Sequence, residues 1–147
     1  MGHPVPDLYV SGCLVRKVGR GGVHEVRVFR RALGIEGKAV VTRVTLSTDG
    51  DEVVVSVRPF KCAPLQCGRC GRVAPGEDKG RGRRRWRGMD WGPLKVFIEA
   101  DARRVCCPEH GSTVVRVPWA AHRARHTHDV DATVAWLARH CPKYSAS

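Results

Sequence analysis

Acidic residues are too few to balance this chain. Against 26 lysines and arginines stand 14 aspartates and glutamates, leaving a formal charge of +12 and a pI near 10.1. An excess of this size points to a polyanionic partner, of which nucleic acid is the commonest. Long apolar runs are also missing. None approaches the roughly 20 residues of a spanning helix, which sets a membrane partner aside. The opening Met1-Gly-His-Pro-Val-Pro-Asp7 lacks the basic-then-apolar order of a secretion signal, so a cytoplasmic chain is expected. Aromatic residues make up only 6%, while glycines number 16. The 147 residues suffice for one ordinary domain or two small ones. Their apolar core is small and suited to a metal staple.

The spacing of a disulfide framework is absent as well. Seven cysteines is an odd number, and two clusters read instead as halves of a metal site. The first is Cys67-Gly-Arg-Cys70-Gly71; the second is Cys107-Pro-Glu-His110-Gly111. Each places two ligand side chains on a tight turn closed by glycine, which tolerates a positive backbone angle. Together they offer three thiolates and one imidazole, the Cys3His set that structural zinc prefers. The gap between the halves exceeds the common spacing of about 12–20 residues, so it must contain a folded excursion that returns beside its start. The competing reading is of ordinary reduced cysteines. Cys13, Cys62, Cys106 and Cys141 are left over; Cys106 is the first rival for a ligand position and Cys62 the second.

The pattern along the chain predicts an α+β fold, a small β-rich zinc-ribbon-like domain behind a short N-terminal helix and hairpin. Residues 1–26 read as a weakly ordered lead-in with a short strand at Leu8–Val10. Segment 27–60 holds a short helix and a β-hairpin. Val26, Phe29 and Leu33 share a helical face and Gly34 supplies the stop. Val40–Leu46 and Val53–Arg58 flank an Asp49-Gly50 turn, with Val53, Val55 and Val57 facing inwards. Segment 61–118 is the zinc-binding module with a basic insert. In it Leu94, Val96, Ile98 and Ala100 lie on one side of a strand, and Val114–Pro118 is a further strand or extended arm. Segment 119–147 carries a basic loop, His122–His128, and a last helix capped by Thr127 or Asp129. On that helix Val130, Val134, Leu137 and Cys141 form a stripe in need of partners.

The insert contains six cations in nine residues: Lys79, Arg81, Arg83, Arg84, Arg85 and Arg87. Alternating acids, the mark of a solvated helix face, are missing there. The run reads as a basic loop, pliable in its glycine-bearing first part, that contacts nucleic acid, with double-stranded DNA as the expected partner. Neutralising about six phosphates would give a log–log salt slope of roughly −5 on duplex DNA. Trp86 reads chiefly as structural, packed against the knuckle, with a sugar contact as the alternative. No cluster of carboxylates for two-metal chemistry is evident, and no nucleophile–base pair has a credible context, so the chain by itself is not expected to be an enzyme.

Taken in order, these features resemble one family. The helix ending in Leu33-Gly34, the valine hairpin and the paired knuckles enclose the Arg83-Arg-Arg-Trp-Arg87 segment. Val117-Pro-Trp-Ala120 and the helix around Val134-Ala-Trp-Leu137 follow. Together they look like the N-terminal region of insertion-sequence transposases of the ISL-three family, from about residue 27 to about residue 141. The resemblance implies zinc on Cys67, Cys70, Cys107 and His110, then a helix-turn-helix, then a DDE-type catalytic domain of the ribonuclease-H kind. It identifies the last helix as the first of a truncated helix-turn-helix. The expectation is a DNA-binding fragment acting in DNA transposition without the catalytic domain, nucleoid-associated, and able to associate with a full-length transposase. The alternatives are a zinc-ribbon adaptor for RNA or a protein partner, and a non-functional remnant.

Overall fold

Alternating valines build the start of the central sheet. β1 (Ala39–Leu46) and β2 (Glu52–Pro59) pair antiparallel, with Val53, Val55 and Val57 buried on one face. Gly50, at φ +72°, takes the left-handed position of the connecting turn. A bulge between Val41 and Arg43 bends β1, and the Thr42 hydroxyl there donates to the Ser56 carbonyl at 3.0 Å. The computed structural model describes residues 23–141. Residues 1–22 of the lead-in, with the strand expected at Leu8–Val10, lie outside the described residues, as do 142–147.

α1 (Val23–Ala32) packs one face on this sheet. Its spacing of Val26, Phe29 and Leu33 places all three against the core, and Phe29 stacks on Trp91 with ring centroids 5.1 Å apart. Gly34 ends the helix at φ +64°. The amide of Ile35 donates to the Arg30 carbonyl and that of Gly34 to the Arg31 carbonyl, the paired bonds of a Schellman turn. Ile35 then drops fully into the core.

Two more strands complete the sheet: β4 (Arg83–Arg87) and β5 (Lys95–Asp101), in the order β1-β2-β5-β4. β5 runs parallel to β2, Val53 opposite Val96 and Val55 opposite Ile98. The second half of the run read as a basic loop, Arg83–Arg87, is instead a strand antiparallel to β5. Alternation along β4 turns Trp86 into the core, where it meets Trp119 edge-to-face at 5.5 Å. Trp86 is structural, but it fills the sheet's core and packs neither on the knuckle nor outwards towards a sugar.

A smaller antiparallel sheet, β3-β6-β7, sits beside the first: β3 (Gly76–Asp78), β6 (Arg104–Cys107) and β7 (Gly111–Val114). Its own core is Cys67, Ala74, Val105 and Cys107. The arrangement is an α+β, zinc-ribbon-like fold. α2 (His128–His140) follows, with Asp129 and Asp131 at its positive end and Arg139 and His140 at its negative end. Thr127 occupies the cap position, yet its hydroxyl makes no capping bond. The residue is buried and its amide donates to the Arg87 carbonyl at 2.9 Å. No side chain of α2 is buried; Val134 and Trp136 are each 59% exposed. Among the described residues, no helix is long and apolar enough to cross a membrane.

Candidate metal centre

Each knuckle is shaped by its backbone before any ion is considered. In the first, the Gly71 amide donates to the Cys67 carbonyl at 2.9 Å, and the Arg69 amide points at the Cys67 sulfur, 3.4 Å away. In the second, Cys107 ends β6 and Gly111 begins β7, and the two residues pair across the turn. Gly71 and Gly111 sit at φ +74° and +65°, so both turns use the left-handed conformation that glycine permits.

The knuckles meet because the first one docks on β7. The Gly68 amide donates to the Val114 carbonyl at 3.0 Å, and the Arg116 amide to the Gln66 carbonyl at 2.8 Å. On the outside, Arg72 pairs with Glu109 across the two turns at 2.5 Å. The long excursion between the half-sites returns beside its start, through β3, β4, β5 and then β6.

Four ligand atoms converge as a result. The sulfurs of Cys67, Cys70 and Cys107 and a ring nitrogen of His110 all lie within 4.8 Å of one another. Cys70 Sγ is 3.7 Å from Cys107 Sγ, and His110 Nδ1 is 3.8 Å from Cys67 Sγ and 3.7 Å from Cys107 Sγ. Tetrahedral zinc, with bonds of about 2.3 Å to sulfur and 2.0–2.1 Å to nitrogen, requires edges of about 3.5–3.8 Å. The donor set fits zinc in both chemistry and spacing. Cys106 is exposed and outside the cluster, because the alternation of β6 turns it away from Cys107. Cys62 is also outside the cluster.

The thiols are electrostatically unlike. The backbone amide of Cys70 is the main influence holding Cys67 down to about 6; burial opposes it and the Arg69 amide assists. Cys67 is thus prepared as a thiolate at neutral pH. Cys70 moves upward: the Arg72 amide pulls it down, but lost solvent and the neighbouring thiols of Cys67 and Cys107 outweigh that pull. A divalent cation among them reverses the mutual repulsion of the sulfurs.

Residues 63–110 match the family described as the zinc-finger of transposase IS204/IS1001/IS1096/IS1165. The chain carries an ISL3-type transposase zinc ribbon. Over 125 residues it is 48% identical to the transposase for insertion sequence element IS1557 of Mycobacterium tuberculosis, in strain CDC 1551 / Oshkosh and in strain ATCC 25618 / H37Rv. The match takes in 82% of this chain and 28% of each relative, so the chain spans little more than a quarter of their length. No solved structure matches the chain. The ISL3-type ribbon and its Cys3His cluster together make structural zinc the cofactor.

Around the ribbon the six cations of the insert part company. Arg83 and Arg85 both bind Glu99, at 2.7 and 2.9 Å, and Arg87 binds Asp90. Arg84 turns the other way, donating to the Ala124 carbonyl at 2.6 Å and lying over the Trp86 ring. Lys79 and Arg81 lie exposed at the turn before β4. Arg69, Arg104 and Arg123 join Arg81, Arg83 and Arg84 around a cleft of about 540 Å³ that His110 also borders. Those three lie outside the six-cation run, Arg123 within the basic loop His122–His128. Arg69 carries a local signal of another kind, its place between two metal ligands. His122 borders the cleft too, its pKa lowered first by burial and then by Arg123, Arg69 and Arg84.

Proposed function

We propose that this chain is a zinc-stabilised DNA-binding part of a DDE-type transposase, acting in DNA transposition, and that it performs no catalysis itself. The carrying observation is a strongly basic surface built directly onto an ISL3-type ribbon. Zinc ties the two knuckles together; Lys79, Arg81, Arg83, Arg84, Arg85 and Arg87 supply cations for the phosphates of double-stranded DNA. Phosphate contacts of this kind give affinity and register with little sequence preference. Recognition of transposon ends then falls to a helix-turn-helix of which α2 is the first helix, in a nucleoid-associated protein.

The acids favour a non-catalytic reading. Glu99, Asp78, Asp90 and Glu109 are each engaged by arginine. Glu99 has its pKa lowered by Arg85 foremost and Asp78 by Arg104 foremost, as suits structural counter-ions. The exposed Val134, Trp136 and Leu137 of α2 suit contact with a protein partner, a full-length transposase by this reading.

Titration of the purified chain into labelled transposon-end duplex, followed by fluorescence anisotropy, tests the proposal. Binding that weakens steeply with added salt is expected, with a log–log slope of roughly −3 to −5. Absence of duplex binding at low salt would sink it. Co-expression with an intact transposase is expected to lower transposition by competition for the ends.

A further inference from the structure

The cleft beside the metal centre has no role in holding zinc. It lies where the end of β4, the β6–β7 pair and the 121–124 loop approach one another, and six arginines border it without a single carboxylate. Three of the six are fixed in place: Arg83 by Glu99, Arg84 by the Arg123 and Ala124 carbonyls, and Arg104 by Asp78. The other three, Arg69, Arg81 and Arg123, are exposed and have no carboxylate within ion-pair reach among the described residues. Like charges gathered along a lining that holds no acid, with Glu77, Asp78 and Glu99 set behind it, are a disposition for an anion. His122 adds a ring nitrogen, Nε2, that is buried without a hydrogen-bond partner.

We propose that this cleft seats the sugar–phosphate backbone of duplex DNA, with Arg69, Arg81 and Arg123 as its three phosphate contacts. The inference rests on the DNA-binding reading above and gives it a location. A duplex suits the cleft better than a single strand. Its walls contain no Phe, Tyr or Trp on which an unpaired base would stack. Arg69 lies between the metal ligands Cys67 and Cys70, so zinc positions one of the three contacts. The basic run divides accordingly: Arg81 touches phosphate and Arg83 and Arg84 form the wall. Arg85, bound to Glu99, contributes long-range field.

The test compares two triple variants of the zinc-loaded chain, measuring duplex affinity across a salt series. The cleft triple is Arg69→Gln, Arg81→Gln and Arg123→Gly; glycine keeps the φ of +63° at that position. The matched triple is Arg27→Gln, Arg43→Gln and Lys61→Gln, equal in charge and outside the cleft. With about 0.9 of slope per phosphate, the cleft triple is expected to lose about 2.7 of slope and on the order of a hundredfold in affinity near 0.1 M salt. The matched triple is expected to stay within about threefold, and Arg69→Lys with Arg81→Lys to retain most of the slope, since an ammonium also contacts phosphate. Zinc content and thermal midpoint check that each variant is folded. Should the cleft triple misfold, Arg81→Gln alone, in an exposed turn, is expected to lose about 0.9 of slope.

Equal losses from the two triples, or an unchanged slope in the cleft triple or in Arg81→Gln, would overturn the assignment while leaving the DNA-binding reading intact. A preference for single-stranded DNA or RNA over duplex would overturn the choice of ligand. Failure of the unaltered chain to bind any DNA removes the DNA-binding reading itself, and the cleft assignment with it.

Discussion

The backbone amide of Arg69 lies 3.4 Å from the sulfur of Cys67, while the residue's side chain borders the basic cleft. One residue therefore belongs both to the metal knuckle and to the charged surface. Loss of the metal is expected to remove more than a staple, because the ion held by Cys67 and Cys70 would fix the turn that aims Arg69.

Cys70→Ser combined with His110→Ala is expected to abolish stoichiometric zinc, about one ion per chain in the unaltered protein. Structural zinc is worth about 10–16 kcal/mol in small domains, so the ribbon should unfold without it. The four-stranded sheet has a separate core built on Ile35, Val55, Trp86 and Ile98. Hydrogen exchange should consequently show protection lost in β6 and β7 and kept in β2 and β5. Equal loss across both sheets would contradict two separable cores, and retained protection in β6 would contradict a metal-dependent ribbon.

Glu99 provides a pH-dependent contribution whose sign is fixed by geometry. Its carboxylate is mostly buried and binds Arg85 and Arg83, which lower its pKa from the ordinary 4.5. The stabilisation is thus complete above about pH 4.5 and fades as pH falls through the lower folded-state value. Both arginines are half exposed, so screening limits the effect to about 1 kcal/mol. Glu99→Gln should lower the thermal midpoint at neutral pH by a few degrees and converge with the unaltered chain in acid. Parallel curves throughout would show that the two arginines do not stabilise Glu99.

Two glycines of the ribbon should fail for different reasons when replaced by alanine. At Gly68 a Cβ would stand 2.5 Å from the Val114 carbonyl oxygen and 2.5 Å from His122 Nδ1. That collision separates the first knuckle from β7, at about 1–3 kcal/mol for overpacking. At Gly111 nothing lies within 4 Å, and only the positive φ opposes a side chain, at about 1 kcal/mol. Urea unfolding of the zinc-loaded variants should rank Gly68→Ala below Gly111→Ala. The reverse order would place the strain at the turn and not at the docking contact.

Local chemistry explains what the sequence made legible. Helical spacing from Val26 to Leu33 with Gly34 behind it, valines at every second position of β2, and ligands three residues apart each operate over a few residues. Cys67, Cys70, Cys107 and His110 were visible for that reason, and the structure brings them together. The parallel pairing of β2 with β5 was hidden, since nothing near Val55 indicates Ile98 as its neighbour. The strand at Arg83–Arg87 was hidden too, having one apolar residue among four cations and so no visible alternation. The cleft assembles Arg69, Arg81, Arg104 and Arg123 from distant parts of the chain; Arg81 and Arg123 stand in stretches whose charge is visible, but nothing local shows that they meet each other or Arg69 and Arg104. The cap at Thr127 shows a tertiary override: its amide serves Arg87, and burial leaves the hydroxyl without a capping bond.

That parallel pairing also orders events during synthesis. β2 is complete by Pro59, but its inner edge has to wait for Lys95–Glu99, which leave the ribosome after the whole first knuckle and the basic turn. Until then the valine hairpin offers an unpaired edge, the kind of surface that nascent chains most need shielded. Cys107 and His110 emerge later still. During synthesis the ion can therefore be fully enclosed only after the last strand of the central sheet has been made, whereas Trp119, which closes that sheet's core over Trp86, emerges after all four ligands.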